Sequence, residues 1–418
     1  MRVVVFLALV GCGFQHGALN PGDDVPPNEA GVIDVPEIDA FLIDAPPDCM
    51  QWSAKHFNAC AIPAPLGDVT LTAALSPYQY ATTNAGGALT DKNGAAVSIA
   101  SMQLTPTTGP AVALMSVRNF TVDSGAQLRI IGSKPLIIAA WGTMQIAGTI
   151  DAGSHRGVRA GGGSGPSQCT GAPAASPGVD ESTTGGGSGG GGGGAFRGHG
   201  GTGGPGDTGG QNGGGAGGNP VTFPTFVRGG CPGAKSGKAG PDATTPSDTN
   251  TTAEGGLGGG AVQLTSRGAL QVTATGVVVA GGAGGEGAPL GSAVGGGGGG
   301  AGGYIGFDAA TLQIVGGATV AANGGGGGAS AAFDQTGNPG NDGNPSAVLA
   351  LGGAAQTCAH AGGNGSAAAT LAGADALQTA QACGGGAGGG GAGFVGVFTG
   401  AGFTSGAIFS PSFQLNPF

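Results

Sequence analysis

Residues 261–285 read AVQLTSRGALQVTATGVVVAGGAGG, and the fold turns on how this stretch is taken. Two short strand-like runs follow one another across a small-residue break, and the second opens into glycine. The unit recurs at residues 136–153 (LIIAAWGTMQIAGTIDAG) and 304–324 (YIGFDAATLQIVGGATVAANG). Met144-Gln145-Ile146 and Leu312-Gln313-Ile314 stand in those copies where Leu270-Gln271-Val272 stands here. Weaker copies lie at 112–133, with Leu128-Arg129-Ile130, and at 394–412. Repetition of this kind points to stacked units, because one unit cannot bury its apolar face alone.

From Val112 to Leu136 is 24 residues. That length, with β-branched and Leu residues alternating along each run, predicts one coil of a parallel β-helix. The expected fold class is therefore all-β, a parallel β-helix or solenoid. Met144, Leu270 and Leu312 would fall in one column of its core, with Ile146, Val272 and Ile314 in the next. Strand side chains alternate, so Gln145, Gln271 and Gln313 would point outward, either as a hydrogen-bonded ladder or simply into solvent.

Glycine supplies 99 and proline 26 of the 418 residues. A share of about 30% is the range of low-complexity chains, yet the glycine collects between the units. It fills three long inserts, at about 155–260, 286–303 and 325–393, with runs at 189–194, 295–300, 324–328 and 388–391. Chains without side chains can bundle in a polyglycine-II-like form, hydrogen-bonding to one another. Ordering glycine costs more entropy than ordering any other residue, so such bundles need help.

Residues 1–11 have one Arg and an apolar run, a signal peptide ending in Leu9-Val10-Gly11 before Cys12. This resembles the lipobox of bacterial lipoproteins, which implies lipid on Cys12 and a membrane partner, with Gly13 favouring the outer membrane. Residues 12–48 are acidic and Pro-rich, lack Lys and Arg, and read as an extended tether. Residues 49–110 form a cap and first strands, in which Asn93-Gly94 signals a tight turn; residues 111–418 form the body. Beyond Cys12, six cysteines remain. Their placement suggests Cys49–Cys60, Cys169–Cys231 and Cys358–Cys383, in keeping with an exported chain.

The net charge of −10 excludes a nucleic-acid footprint. Catalysis finds little footing. Gly198-His199-Gly200 matches the GHG of polygalacturonases, but no pair of acids accompanies it. Asp151 and Asp308 lie in the repeats without sharing a column, and Arg267 stands alone. His16, His155 and His360 have no zinc spacing, and His56 stands with Trp52 and Phe57 in the small loop framed by Cys49 and Cys60. A calcium loop has one weak candidate, Asp334, Asn338, Asn341 and Asp342, which lacks the EF-hand pattern. No metal or cofactor is expected.

The Cys12 lipobox, the Cys-x2-Trp-x3-His-Phe-x2-Cys cap at 49–60, Ile131-Gly-Ser-Lys-Pro-Leu-Ile137 and the glycine-flanked unit at 296–328 together resemble a group of glycine-rich surface lipoproteins of myxobacteria. That resemblance implies a β-solenoid at the cell envelope and transfers no catalytic residue. The expected function is a non-enzymatic envelope lipoprotein, structural or adhesive, whose partners are envelope polysaccharide or other surface proteins. The alternatives are a polysaccharide lyase or hydrolase, and a glycan-binding protein without catalysis.

Overall fold

Leu270-Gln271-Val272 closes a single strand of twelve residues, Ala261–Val272, instead of belonging to a second short run. Residues 262–266 of this strand lie parallel to Leu136–Ala140 and residues 270–272 parallel to Met144–Ile146. Its other edge pairs with Tyr304–Ile314, and the register shifts between Ser266 and Ala269. Arg267 and Gly268, which the sequence presents as a break, are thus taken up in a bulge. This is a computed structural model, and it describes residues 49–417 except 84, 108, 158–159, 170–173, 182–186, 208–211, 239, 241–250, 291–292, 332–334, 357–359, 378–382 and 401–402.

Met144, Leu270 and Leu312 are direct register partners, as are Ile146, Val272 and Ile314. All six are buried. They share a core with Ile150, Val278 and Val320 from the second sheet, which come from the parallel strands Thr149–Asp151, Val277–Val279 and Thr319–Ala321. The intervening glutamines face outward as a ladder. Gln145 Nε2 donates to Gln271 Oε1 at 3.3 Å, and Gln271 Nε2 donates to Gln313 Oε1 at 2.7 Å.

The expected all-β parallel β-helix is nevertheless corrected. The described strands form two mixed sheets, one of eleven strands and one of eight, joining parallel and antiparallel pairs. Tyr78–Thr82, Ala88–Thr90 and Ala96–Val97 pair antiparallel, and so do Ala100–Leu104 and Val112–Val117. Local turn chemistry overrides the repeat here. Asp91 Oδ1 accepts from the Asn93 and Ala95 amides, and Gly94 takes φ +79°, so the chain folds straight back. Among the described residues, helix is limited to 3-10 turns of three residues, such as Cys49–Gln51. No helix among the described residues is long and apolar enough to cross a membrane.

The glycine is not loop hung from a sheet. Residues 295–303 donate backbone hydrogen bonds in three directions that recur every third residue. Gly296, Gly299 and Gly302 reach Gly385, Gly388 and Gly391. Gly297, Gly300 and Gly303 reach Glu286, Ala283 and Ala280, while Gly298 and Ala301 reach Ala234 and Cys231. The same run accepts from Gly191 and Gly194, from Gly256 and Gly259, and from Gly325 and Gly328. A three-residue period is that of the polyproline II helix, whose backbone has no internal hydrogen bonds and must bond sideways.

The runs 189–194, 324–328 and 388–391 are enclosed by neighbouring segments in the same manner. Enclosure explains their composition, since every lateral direction meets another backbone. A Cβ on Gly298 would lie 2.0 Å from the Gly192 carbonyl oxygen.

Segments on the outside carry other residues where a direction faces solvent. In 176–181, the amides of Ser176 and Val179 go to Ala216 and Gly213, and those of Gly178 and Glu181 to Lys235 and Lys238. Pro177, which has no N–H to leave unpaired, occupies the third, outward position and is exposed. Pro205, Pro232 and Pro339 take the equivalent places in their segments. Other outward amides are capped by side chains: Thr202 N–H donates to Asp375 Oδ1 at 2.6 Å, and Gly284 N–H to Asp342 Oδ1 at 2.9 Å.

Lattice and sheet share one hydrogen-bond register. Segments 254–260, 295–303 and 385–393 run directly into Ala261–Val272, Tyr304–Ile314 and Phe394–Thr399. At the junctions Tyr304 N–H donates to Gly260 O and Phe394 N–H to Gly303 O. Disulfides Cys49–Cys60 and Cys169–Cys231 close the cap and one lattice segment.

Candidate functional site

The cap is positioned by its aromatic residues. Trp52 packs edge-on against Phe57, with ring centroids 5.6 Å apart, and against Trp141 of the body at 5.1 Å. His56, held at φ +70°, donates from Nδ1 to Gln263 Oε1 at 2.6 Å. The Gln263 amide in turn donates to Lys55 O at 3.1 Å. Burial holds the His56 pKa below its ordinary value, outweighing the Gln263 hydrogen bond, and the Lys55 charge adds to the lowering. This neutral imidazole is a peg between cap and sheet.

Beneath the cap lies a cleft of about 390 Å³. Its walls include Trp52 and Lys55 from the cap, Arg267 from the bulge, and Thr399 and Asn416 from the C-terminal segment, with Asp308 from the Tyr304–Ile314 strand. Asp308 is only 8% exposed. Its Oδ2 accepts the Lys55 N–H at 2.7 Å. Burial pushes the carboxyl up to about 6, against the lowering effect of the Lys55 amide and charge. Two further features mark the place as constrained: the register shift that turns Arg267, and Asn416 at φ +41°. Bulges and left-handed non-glycine residues gather where a side chain must be aimed.

A second cluster joins Asp151, His155 and Asp342. His155 Nε2 lies 3.1 Å from Asp151 Oδ2, and its Nδ1 lies 3.4 Å from Asp342 Oδ2. The hydrogen bonds to Asp151 and then Asp342 push His155 up to about 9, with burial opposing. For Asp342, burial acts upward, but hydrogen bonds from His155 and from the Gly284 and Arg156 amides hold it below the usual carboxylate range. An imidazolium fixed between two carboxylates is a poor general base, because it holds its proton at neutral pH. It ties the end of a sheet strand to the lattice.

The residues singled out in the sequence fall as follows. Cys12 and Cys358 lie outside the described residues, as do Asp334 and His16. Cys383 is disulfide-bonded. Asn338 donates to Ala354 O, and Asn341 donates through its backbone to Leu351 O. Asp342 is engaged by His155 and by the Gly284 and Arg156 amides, as above. Among the described residues no group of three or more His, Cys, Asp or Glu is placed to hold a metal ion. Gly198 and Gly200 of the GHG stretch are lattice glycines, bonded to Ala392 and Gly218.

Nothing in the linear order of residues announces the cleft, whose walls come from five remote segments. For the second cluster, Asp151 and His155 stand four apart, a usable signal, but Asp342 is far along the chain. No family model, curated protein or solved structure matches this chain.

Proposed function

We propose that this chain is a non-enzymatic component of the bacterial cell envelope, structural or adhesive, held to the membrane by lipid on Cys12. The observation that carries the reading is the glycine lattice. Its interior backbone is bonded sideways at every residue of the 295–303 stretch that donates, in three directions. A body cross-bonded in this way is suited to bearing load or holding a surface at a fixed distance. The locked His155 agrees with this, since its protonation state serves attachment of sheet to lattice.

Labelling cells with a palmitate analogue tests the anchor: label is expected on the wild-type chain and lost in Cys12→Ala, and label that persists refutes it. For the non-enzymatic half, the full chain is incubated with pectin, alginate and host exopolysaccharide. No product is expected; release of unsaturated or reducing sugars overturns the reading.

A further inference from the structure

We propose that the cleft beneath the cap is a binding site for a neutral saccharide residue, whose hydroxyl groups donate to the Asp308 carboxylate. Its place at the cell surface rests on the adhesive reading above. Five observations lead to this chemistry.

The cleft volume, about 390 Å³, falls within the range of small-molecule sites. Its wall holds a carboxylate that is 8% exposed and fixed through Oδ2 by a backbone amide. A buried carboxylate is stabilised by further hydrogen-bond donors, and a ligand entering the cleft can bring them. Lys55 and Arg267 stand in the same walls. Two cations work against an ammonium ligand, which leaves hydroxyls as the donors. A hydroxyl also accepts, so one polyol can face the carboxylate and the cations together.

The walls are preorganised. Disulfide Cys49–Cys60, the Trp52–Trp141 contact and the His56–Gln263 bond hold one side, and the bulge at Ser266–Ala269 sets the other. Binding that needs no reordering keeps more of its contact energy. Lastly, Asp308 is the one acidic side chain among the described residues lining the cleft. Glycosidic cleavage uses two carboxylates flanking the bond, so this geometry holds a sugar without cutting it.

The test is calorimetric or NMR titration of the full chain with galactose, glucose, N-acetylglucosamine, galacturonate and putrescine, alongside Asp308→Asn and Ala310→Trp. The first variant keeps the shape and removes the charge; the second fills the cleft from its rim. Thermal melting verifies that both are folded. At least one neutral sugar is expected to bind, at least tenfold more weakly in Asp308→Asn and not measurably in Ala310→Trp. Binding should also fall as the pH drops through about 6, where the carboxyl takes up its proton. The groups facing it are Lys55 and Arg267 across the cleft and Tyr304 on its own strand.

Absence of neutral-sugar binding overturns the proposal, as does equal binding by Asp308→Asn. A preference for galacturonate or putrescine replaces the hydroxyl chemistry by charge and also overturns it. Adhesion of intact cells to a sugar-coated surface separates the two readings. Sugar binding by the chain without loss of adhesion in Asp308→Asn cells defeats the adhesive role alone. Adhesion by wild-type cells with no sugar bound to the purified chain defeats the site alone.

Discussion

The two halves of this molecule reach order by opposite means. Between the sheets, buried side chains such as Phe120, Leu270 and Phe307 exclude water, and each fully buried large apolar residue contributes about 1.5–3 kcal/mol. In the lattice there are almost no side chains to bury. Stability there comes from sideways backbone hydrogen bonds, each contributing about 0.5–1.5 kcal/mol net, against the high entropy of glycine. The sheet core tolerates imperfect packing by rearranging rotamers. The lattice has no rotamers, so it should tolerate almost nothing.

Substitutions that add or remove one group in each half sharpen that contrast. The largest effect is expected for Gly298→Ala, whose Cβ would lie 2.0 Å from the Gly192 oxygen and meet backbone that cannot turn aside. A loss above about 4 kcal/mol, or failure to fold, should be seen in urea denaturation. A loss under 1 kcal/mol would mean that the lattice is loose. Leu270→Ala, in the apolar core, should cost about 3 kcal/mol by the same measurement.

Asp308→Asn should act in the other direction. The folded-state pKa of Asp308 is raised to about 6, so its contribution is fully present below the unfolded value near 4 and is lost as the pH rises through 6. Removing the titration should therefore stabilise the protein at pH 8 by roughly 1–3 kcal/mol, with the gain vanishing below pH 4. Melting curves across that range would show it, and a pH-independent difference would refute it.

His155→Gln should be smaller, because the imidazole is about one-third exposed. With its pKa raised to about 9, the stabilisation is full below 6.5 and lost as the pH rises through 9. The melting temperatures of variant and wild type should thus converge in alkali. Smallest of all is Gln271→Ala. The exposed ladder bonds to Gln145 and Gln313 should be worth within about 0.5 kcal/mol.

What could be read beforehand follows the same division. Met144, Leu270 and Leu312 announce their alignment because apolar side chains in a period of two leave a pattern. Glycine leaves none: nothing in the letters of 189–194 or 295–300 says which segment lies beside which. The two mixed sheets overturn the parallel β-helix for a related reason. The repeat of 136–153, 261–285 and 304–324 does not reach the stretch where the Asp91–Gly94 turn and its antiparallel strands follow local rules. The cleft is not legible in the sequence because Asp308 and Arg267, visible singly in the repeats, meet each other and Asn416 only once the chain is folded.

The outward prolines carry a consequence for how this protein can change over generations. At an enclosed glycine any other amino acid adds atoms where there is no space, whereas the outward positions leave room: Pro177 is exposed and Pro205, Pro232 and Pro339 are half-buried. Natural variants should therefore differ at every third position of the outer segments and stand still in the central runs. A ribbon of apparently formless sequence would then show a ternary rhythm of drift and silence, and comparing the gene across related strains would reveal whether it does.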